Sequence, residues 1–342
     1  MFNRALIALF ILLPLECYGA FQSVSYNADV ASLVSEVNQA TLTGYLNKLT
    51  GQAQITVGGS NYTLSSRATN SGTQITRATQ WAYEHCAAYG WTVQYENWSD
   101  GGYSNRNVIC TKTGTTYPTS EVVLGAHIDS FWPGADDDGS GTALLMHLVE
   151  ILGSEDFKRT VEIVFFTGEE EGLYGSAAYV FNAAEPYAMV VFDVIGYDST
   201  TDSLFTVGTG SPGTHTANAN DAAIGGMFQD ALSEYSISGT AVINSSFSSD
   251  YTTDIFSLWG DGSTKGAVQV NEDLNSMTPY YHGANDTVAN MDLPQVVNIT
   301  KAAVVVVANI AEYESGGAPP ASGTAKTSTG ALNISTGGMV LQ

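Results

Sequence analysis

The chain predicts an α/β fold: one three-layer domain with a central, mostly parallel mixed β-sheet sandwiched between helices. Three observations carry this. Short, largely apolar runs at 121–125, 161–167 and 188–193 have the β-branched and aromatic composition of strands buried inside a sheet. The stretch 142–152 repeats apolar residues at helical spacing and meets a stop at Gly153. Finally, acidic residues follow each apolar run, so carboxylates collect at one edge of the sheet, where open α/β sheets place their ligands.

Residues 1–20 read as a secretory signal. Arg4 supplies the positive start, 5–13 the apolar segment, and Tyr18-Gly19-Ala20 small residues suited to cleavage. The apolar segment is too short to span a bilayer, and no other stretch is read as crossing one. Leu15-Glu16-Cys17 brings a lipid-modified Cys to mind, but Glu16 is a poor residue there. The mature protein is therefore expected to be exported in the bacterial manner.

A catalytic domain is expected over 21–314. Its first helix falls at 30–49, with Gly51 as its stop. A second spans 74–89, with Ile75, Ala78, Trp81, Ala82, His85 and Cys86 on one side and Gly90 closing it. Strands follow at 91–95 and 106–111. If these two are antiparallel neighbours at a sheet edge, Cys110 returns toward the helix carrying Cys86. Two cysteines in an exported chain most often pair, so a structural disulfide is expected; metal ligation is the rival, although neither has a second thiol nearby.

After the central runs, 204–207 is a further strand, and 208–213 formally matches G-x-G-x-x-G ahead of a helix beginning near 217. A nucleotide site is the functional reading of that turn, but a lone glycine fingerprint is weak and Pro212 stiffens it. Residues 245–254 are polar and irregular, 266–270 form the last inner strand, and a final helix runs over 293–313. From 315 to 342 the composition shifts to Gly, Ser, Thr and Pro, as in a linker or tail with no core.

The 342 residues suffice for one large α/β domain, and 44% hydrophobic content supports a substantial core. A formal net charge of −23, from 11 Lys plus Arg against 34 Asp plus Glu, argues against nucleic acid or an anionic membrane as partner. No feature calls for a partner subunit, and a monomer is expected.

The chemistry-bearing residues gather at the ends of the apolar runs. They are His127 and Asp129, the run Asp136-Asp137-Asp138, Glu169 and Glu170, Asp193, and then His282 with Asp286. Consecutive Asp residues repel one another. A divalent cation turns that repulsion into ligation; a solvated acidic loop is the plain alternative. Two His and several carboxylates with no thiol suit zinc, and the surplus of carboxylates suits two ions sharing a bridging carboxylate. Asp129 lies two residues beyond His127, and Asp286 four beyond His282; each is placed to hold the free ring N–H of its His.

In order, the segments Ala126-His127-Ile128-Asp129-Ser130, Pro133-Gly134-Ala135-Asp136-Asp137-Asp138-Gly139, Thr167-Gly168-Glu169-Glu170-Glu171-Gly172, Val191-Phe192-Asp193 and Tyr281-His282-Gly283-Ala284-Asn285-Asp286-Thr287 resemble the signatures of the co-catalytic di-zinc aminopeptidases. These are the bacterial leucyl aminopeptidase and aminopeptidase Y type of metallopeptidase. The resemblance covers about 120–290 and implies two Zn2+ per chain: one on His127 and Asp193, one on Glu170 and His282, with Asp137 bridging them. It implies a cis peptide between Asp137 and Asp138, Glu169 as general base, and Asp129 and Asp286 as orienting residues. It also implies peptide substrates with a free amino terminus, cleaved there with an apolar, Leu-like preference.

The chain departs from the family at Ser249-Asp250-Tyr251, where Ser-Asp-His is common, and at Ser245-Ser246-Phe247, where secreted relatives carry an oxyanion-binding Tyr. Tyr251 is the candidate to take that role. His85, His147 and His215 fit no motif and are read as scaffold or surface residues; Asp136 and Asp138 are read as shaping the turn, Asp138 also as a candidate supporting residue behind the ligands, and Glu171 as a solvated neighbour. The alternative functions are a related carboxypeptidase or dipeptidase, a single-zinc glutaminyl cyclase on the same fold, or a non-catalytic binding module. The sequon Asn285-Asp286-Thr287 abuts a proposed ligand, which fits a host that does not glycosylate.

Overall fold

The computed structural model describes residues 21–183, 185–210, 219–245, 253–260 and 266–315. The signal at 1–20, most of the 208–213 turn, His215, Tyr251 and the tail from 316 lie outside the described residues.

The chain begins with two helices, α1 (Ala28–Glu36) and α2 (Gln39–Leu49), where one was expected over 30–49. The break has a local cause: the Asn38 side chain accepts from the Thr41 N–H and starts a new helix. The hairpin β1 (Ile55–Val57) and β2 (Ser60–Tyr62) follows, and then α3 (Thr73–Ala88). Strands β3 (Thr92–Asp100) and β4 (Tyr103–Lys112) pair antiparallel at one edge of the main sheet, and Cys110 on β4 is disulfide-bonded to Cys86 on α3.

The central elements are β5 (Tyr117–His127), α4 (Gly139–Leu152), β6 (Asp156–Phe157), β7 (Arg159–Phe166), α5 (Tyr174–Asn182) and β8 (Ala188–Phe192). They are followed by β9 (Leu204–Gly208), α6 (Ala219–Glu234), β10 (Thr240–Asn244), α7 (Ile255–Gly260) and β11 (Gly266–Glu272). The chain closes with α8 (Leu293–Ile310) and β12 (Tyr313–Glu314). The last helix ends earlier than expected, and Tyr313 and Glu314 instead pair with β6.

The main sheet has eight strands in the order β10-β9-β11-β8-β5-β7-β4-β3. Its centre, β11-β8-β5-β7, is parallel, whereas β4 and β3 run antiparallel at one end and β9 is antiparallel to β11 at the other. This is the mixed three-layer fold the sequence predicts. The apolar runs are long because both sheet faces are covered. On β8, Ala188, Val190 and Phe192 enter one core while Met189 and Val191 enter the other. The first core holds residues of α1, α2, α3, α4, α6 and α8; the second is closed by α5 and α7. Helix α8 is long and apolar enough to cross a membrane by composition, but it packs in the first core.

Candidate metal centre

The four parallel central strands deliver their carboxyl ends to one side of the sheet. His127 is the last residue of β5, Asp193 directly follows β8, and Glu169 and Glu170 lie in the turn after β7. Asp138 caps α4 by accepting from the Gly141 N–H at 2.8 Å, which sets Asp137 at the mouth of that helix. His282 arrives on the loop between β11 and α8, with φ of 53°.

These groups converge. His127 Nε2 lies 3.3 Å from Asp137 Oδ1 and 3.4 Å from Asp193 Oδ1. His282 Nε2 lies 3.0 Å from Asp137 Oδ2 and 3.3 Å from Glu170 Oε2. Asp137 thus turns one oxygen to each imidazole. Glu169 Oε2 sits 3.8 Å from His127 Nε2, so Glu169 can join His127 and Asp193 in one group of ligand atoms, while His127, Asp137 and Glu170 form another. The peptide between Asp137 and Asp138 is cis, as the resemblance implies.

Electrostatics describe a site with negative charge to spare. Burial pushes the Asp137 carboxyl up, but the two imidazoles outweigh it and hold it at about 2. Burial disfavours the His127 cation, yet Glu169, Asp137 and Asp193 drive its pKa well above the ordinary value. His127 Nε2, Asp137 Oδ2 and Asp193 Oδ1 are buried without a hydrogen-bond partner. Buried groups of this kind need ligation, and nitrogen with carboxylate oxygen is a zinc donor set.

Two expected roles are corrected. His127 Nδ1 meets the backbone carbonyl of Asp129 at 2.9 Å, while the Asp129 carboxylate stands 3.9 Å away. That carboxylate instead accepts from the Thr69 hydroxyl at 2.6 Å and from the backbone N–H groups of Gly168 and Glu169, so it ties down the glutamate turn. Asp286 does not orient His282 either. Its two oxygens accept from the backbone N–H groups of Asp136 and Asp137. In both cases the spacing in sequence is right, but the turn's unpaired N–H groups compete successfully for the carboxylate. His282 is set by rings instead: Tyr281 stacks on it at 3.8 Å and Phe131 meets it edge-on at 4.7 Å.

The described residues read as scaffold or surface have partners of their own. His147 Nδ1 contacts Glu150 at 2.8 Å, and His85 Nε2 contacts the Met146 carbonyl at 2.9 Å, both on the α4 side of the fold. Glu171 pairs with the Tyr103 hydroxyl. Asp136 accepts from the Gly196 N–H at 2.7 Å and faces Glu272. Burial and that neighbour push Glu272 up to about 11, so it carries the proton between them.

Two residues near the site escaped the sequence reading. Asp254, fully buried just before α7, faces His127, Asp129 and Asp193, and burial pushes its carboxyl up to about 7. The signal was an Asp directly ahead of the apolar Ile255-Phe256, four residues beyond the Asp250 weighed instead. Arg67, also fully buried, donates to the carbonyls of Ile128, Leu49, Pro133 and Gly134 and so secures the loop between His127 and Asp137. No motif marks it.

The model of peptidase family M28 matches residues 107–307. A probable zinc metalloprotease of Pyricularia oryzae is 27% identical over 345 aligned residues, covering 86% of this chain and 67% of that one. Leucine aminopeptidase 1 of Paracoccidioides brasiliensis is 28% identical, covering 51% of this chain and 47% of its own length. Among solved structures, the LapA aminopeptidase of Legionella pneumophila is similar with a TM-score of 0.68 at 20% identity, covering 90% of this chain and 80% of that one. A glutaminyl cyclase of Macrostomum lignano reaches the same TM-score at 15% identity, covering 87% and 98%. These two structures share the fold alone.

Proposed function

The chain belongs to peptidase family M28, and from that premise we propose that it is a secreted zinc aminopeptidase that removes amino-terminal, Leu-like residues from peptides. One observation carries the reading: Asp137 presents one carboxylate oxygen to His127 and the other to His282. That is the arrangement of a carboxylate bridging two cations. On this reading His127, Asp193 and Asp137 would hold one zinc, and His282, Glu170 and Asp137 the other. Similarity to a probable zinc metalloprotease and to a leucine aminopeptidase supports zinc and a Leu preference.

When bound there, zinc would supply Lewis-acid chemistry, making a water more acidic and polarising the scissile carbonyl. The chain's own residues do the rest. Glu169, with Oε2 beside the His127 imidazole, takes the proton from the attacking water and passes it to the leaving amine. The surplus carboxylates hold the substrate's α-ammonium group, which restricts cleavage to the amino end. Asp129 holds the backbone of Glu169 while this happens. Export is supported by the composition of residues 1–20 and by the Cys86–Cys110 disulfide.

The shared fold of a glutaminyl cyclase keeps a single-zinc reading in view. Metal stoichiometry separates the two, because a one-zinc site leaves Asp137 without a second cation to bridge. The direct test is hydrolysis of Leu-anilide together with metal content: two zinc ions per chain, activity lost on chelation and restored by zinc. One zinc per chain with glutamine cyclisation would replace the aminopeptidase reading. Zinc bound with neither activity would leave a binding module.

A further inference from the structure

Large apolar side chains rarely stay in water without a use when they cluster. Among the described residues, Phe131 is 46% exposed, Trp132 38% and Tyr281 44%. All three belong to the two segments that border the metal centre. Phe131 and Tyr281 flank the His282 ring from two sides.

This rim is built, not loose. The Phe131 N–H donates to Glu170 Oε1 at 2.8 Å, which ties the segment to a candidate zinc ligand. The Trp132 ring lies against Gly51, where an added Cβ would come within 3.0 Å of it. Arg67 donates to Ile128 on one side of the pair and to Gly134 on the other, and the Ser130 N–H returns to the Arg67 carbonyl. Rings fixed in this way lose little freedom when they bind.

The rim also has a direction. At the His127 end the site is closed, with the His127 side chain 1% exposed and Asp254 fully buried. At the His282 end it is open, that side chain being 41% exposed. An enzyme that removes amino-terminal residues must enclose the terminus and let the remaining chain leave.

Resting on the aminopeptidase reading, we propose that Phe131, Trp132 and Tyr281 form the subsite for the residue that follows the scissile bond, selecting an apolar or aromatic side chain there. A peptide whose second residue is Phe or Leu lays that side chain on the rim and removes both surfaces from water. Gly offers nothing to bury, and Asp meets the carboxylates of the site as a like charge.

The test compares Leu-Phe-amide, Leu-Leu-amide, Leu-Gly-amide and Leu-Asp-amide on the zinc-loaded protein. The wild type is expected to favour Leu-Phe-amide over Leu-Gly-amide by about tenfold or more in kcat/KM, carried mainly by KM. In Trp132→Ala and Phe131→Ala that ratio falls toward one, and in Trp132→Phe it is largely kept. A flat ratio in the wild type, or one that survives both alanine variants, overturns the subsite. Binding of the same amides, read as the fluorescence change present in the wild type and absent in Trp132→Phe, separates the two claims. Preferential binding of Leu-Phe-amide without turnover keeps the subsite and sinks the aminopeptidase reading. Turnover with no preference in rate or binding does the reverse.

Discussion

Asp286 Oδ2 accepts the backbone N–H of Asp137 at 3.1 Å. A residue expected to orient a histidine thus holds Asp137, the carboxylate proposed to bridge the metals, from behind, through the main chain. The other Asp286 oxygen takes the Asp136 N–H at 2.8 Å, so one side chain fixes two successive peptides of the acidic turn. Asp286→Ala should therefore weaken zinc binding about 10- to 100-fold. Chelator competition measures this directly. Unchanged affinity would mean the turn is held without Asp286.

Glu169→Gln keeps the shape of the side chain and removes its basicity. If Glu169 is the base, Leu-anilide hydrolysis drops about 10²- to 10⁴-fold while zinc content stays at the wild-type value. A parallel loss of zinc would instead make Glu169 a ligand, as its 3.8 Å distance to His127 Nε2 also permits.

Arg67→Met removes a buried cation and leaves the carbonyls of Ile128, Leu49 and Gly134 without their donor. The expected cost is about 3–5 kcal/mol of folding stability, read by urea denaturation of the metal-free protein. A change below about 0.5 kcal/mol, the size of an ordinary surface substitution, would show that the loop does not depend on Arg67.

Glu121 sits in a cavity with Glu162 and Tyr179, away from the metal centre, and burial followed by the Glu162 charge pushes its carboxyl from 4.5 to about 7. Between those values the folded chain holds a proton that the unfolded chain has released. Stability from this group is therefore complete below pH 4.5, falls as pH rises, and is gone above about pH 7. Glu121→Gln should raise the Tm at pH 8 and leave it unchanged at pH 4. Equal effects at both values would rule this out.

Replacing Cys86 and Cys110 together by Ala removes a link between residues 24 apart that joins α3 to β4, the strand next to the sheet's edge. The loss should be about 2–4 kcal/mol, measured by denaturant titration under oxidising conditions. Zinc affinity should hold, since both cysteines lie in the first core, away from the ligands.

The fold class and the gathering of histidine and acidic groups at one edge of the sheet were legible because each follows from local pattern, whereas the assignment of those groups as ligands rests on the family resemblance. Apolar runs such as 188–192 are uninterrupted only when both sheet faces are covered, and the residue just after such a run must emerge at the strand's carboxyl end. That places His127, Glu169, Glu170 and Asp193 on one edge of the sheet from the sequence alone. The disulfide was legible for a similar reason, since a hairpin returns Cys110 to the helix that precedes it.

Where a side chain's hydrogen bonds go is a different kind of question. Asp129 and Asp286 stand at the right spacing from their histidines, yet both bind backbone N–H groups of turns that other strands bring to them. Arg67, Asp254 and the Phe131–Tyr281 rim depend on contacts between segments 60 or more residues apart, and such contacts leave no periodic trace in a chain. By itself the sequence determined which groups lie at the sheet's carboxyl edge, because strand direction and burial are local properties. Only the tertiary structure decided which partner each group takes, because a buried carboxylate bonds whichever unpaired donors the packing places nearest.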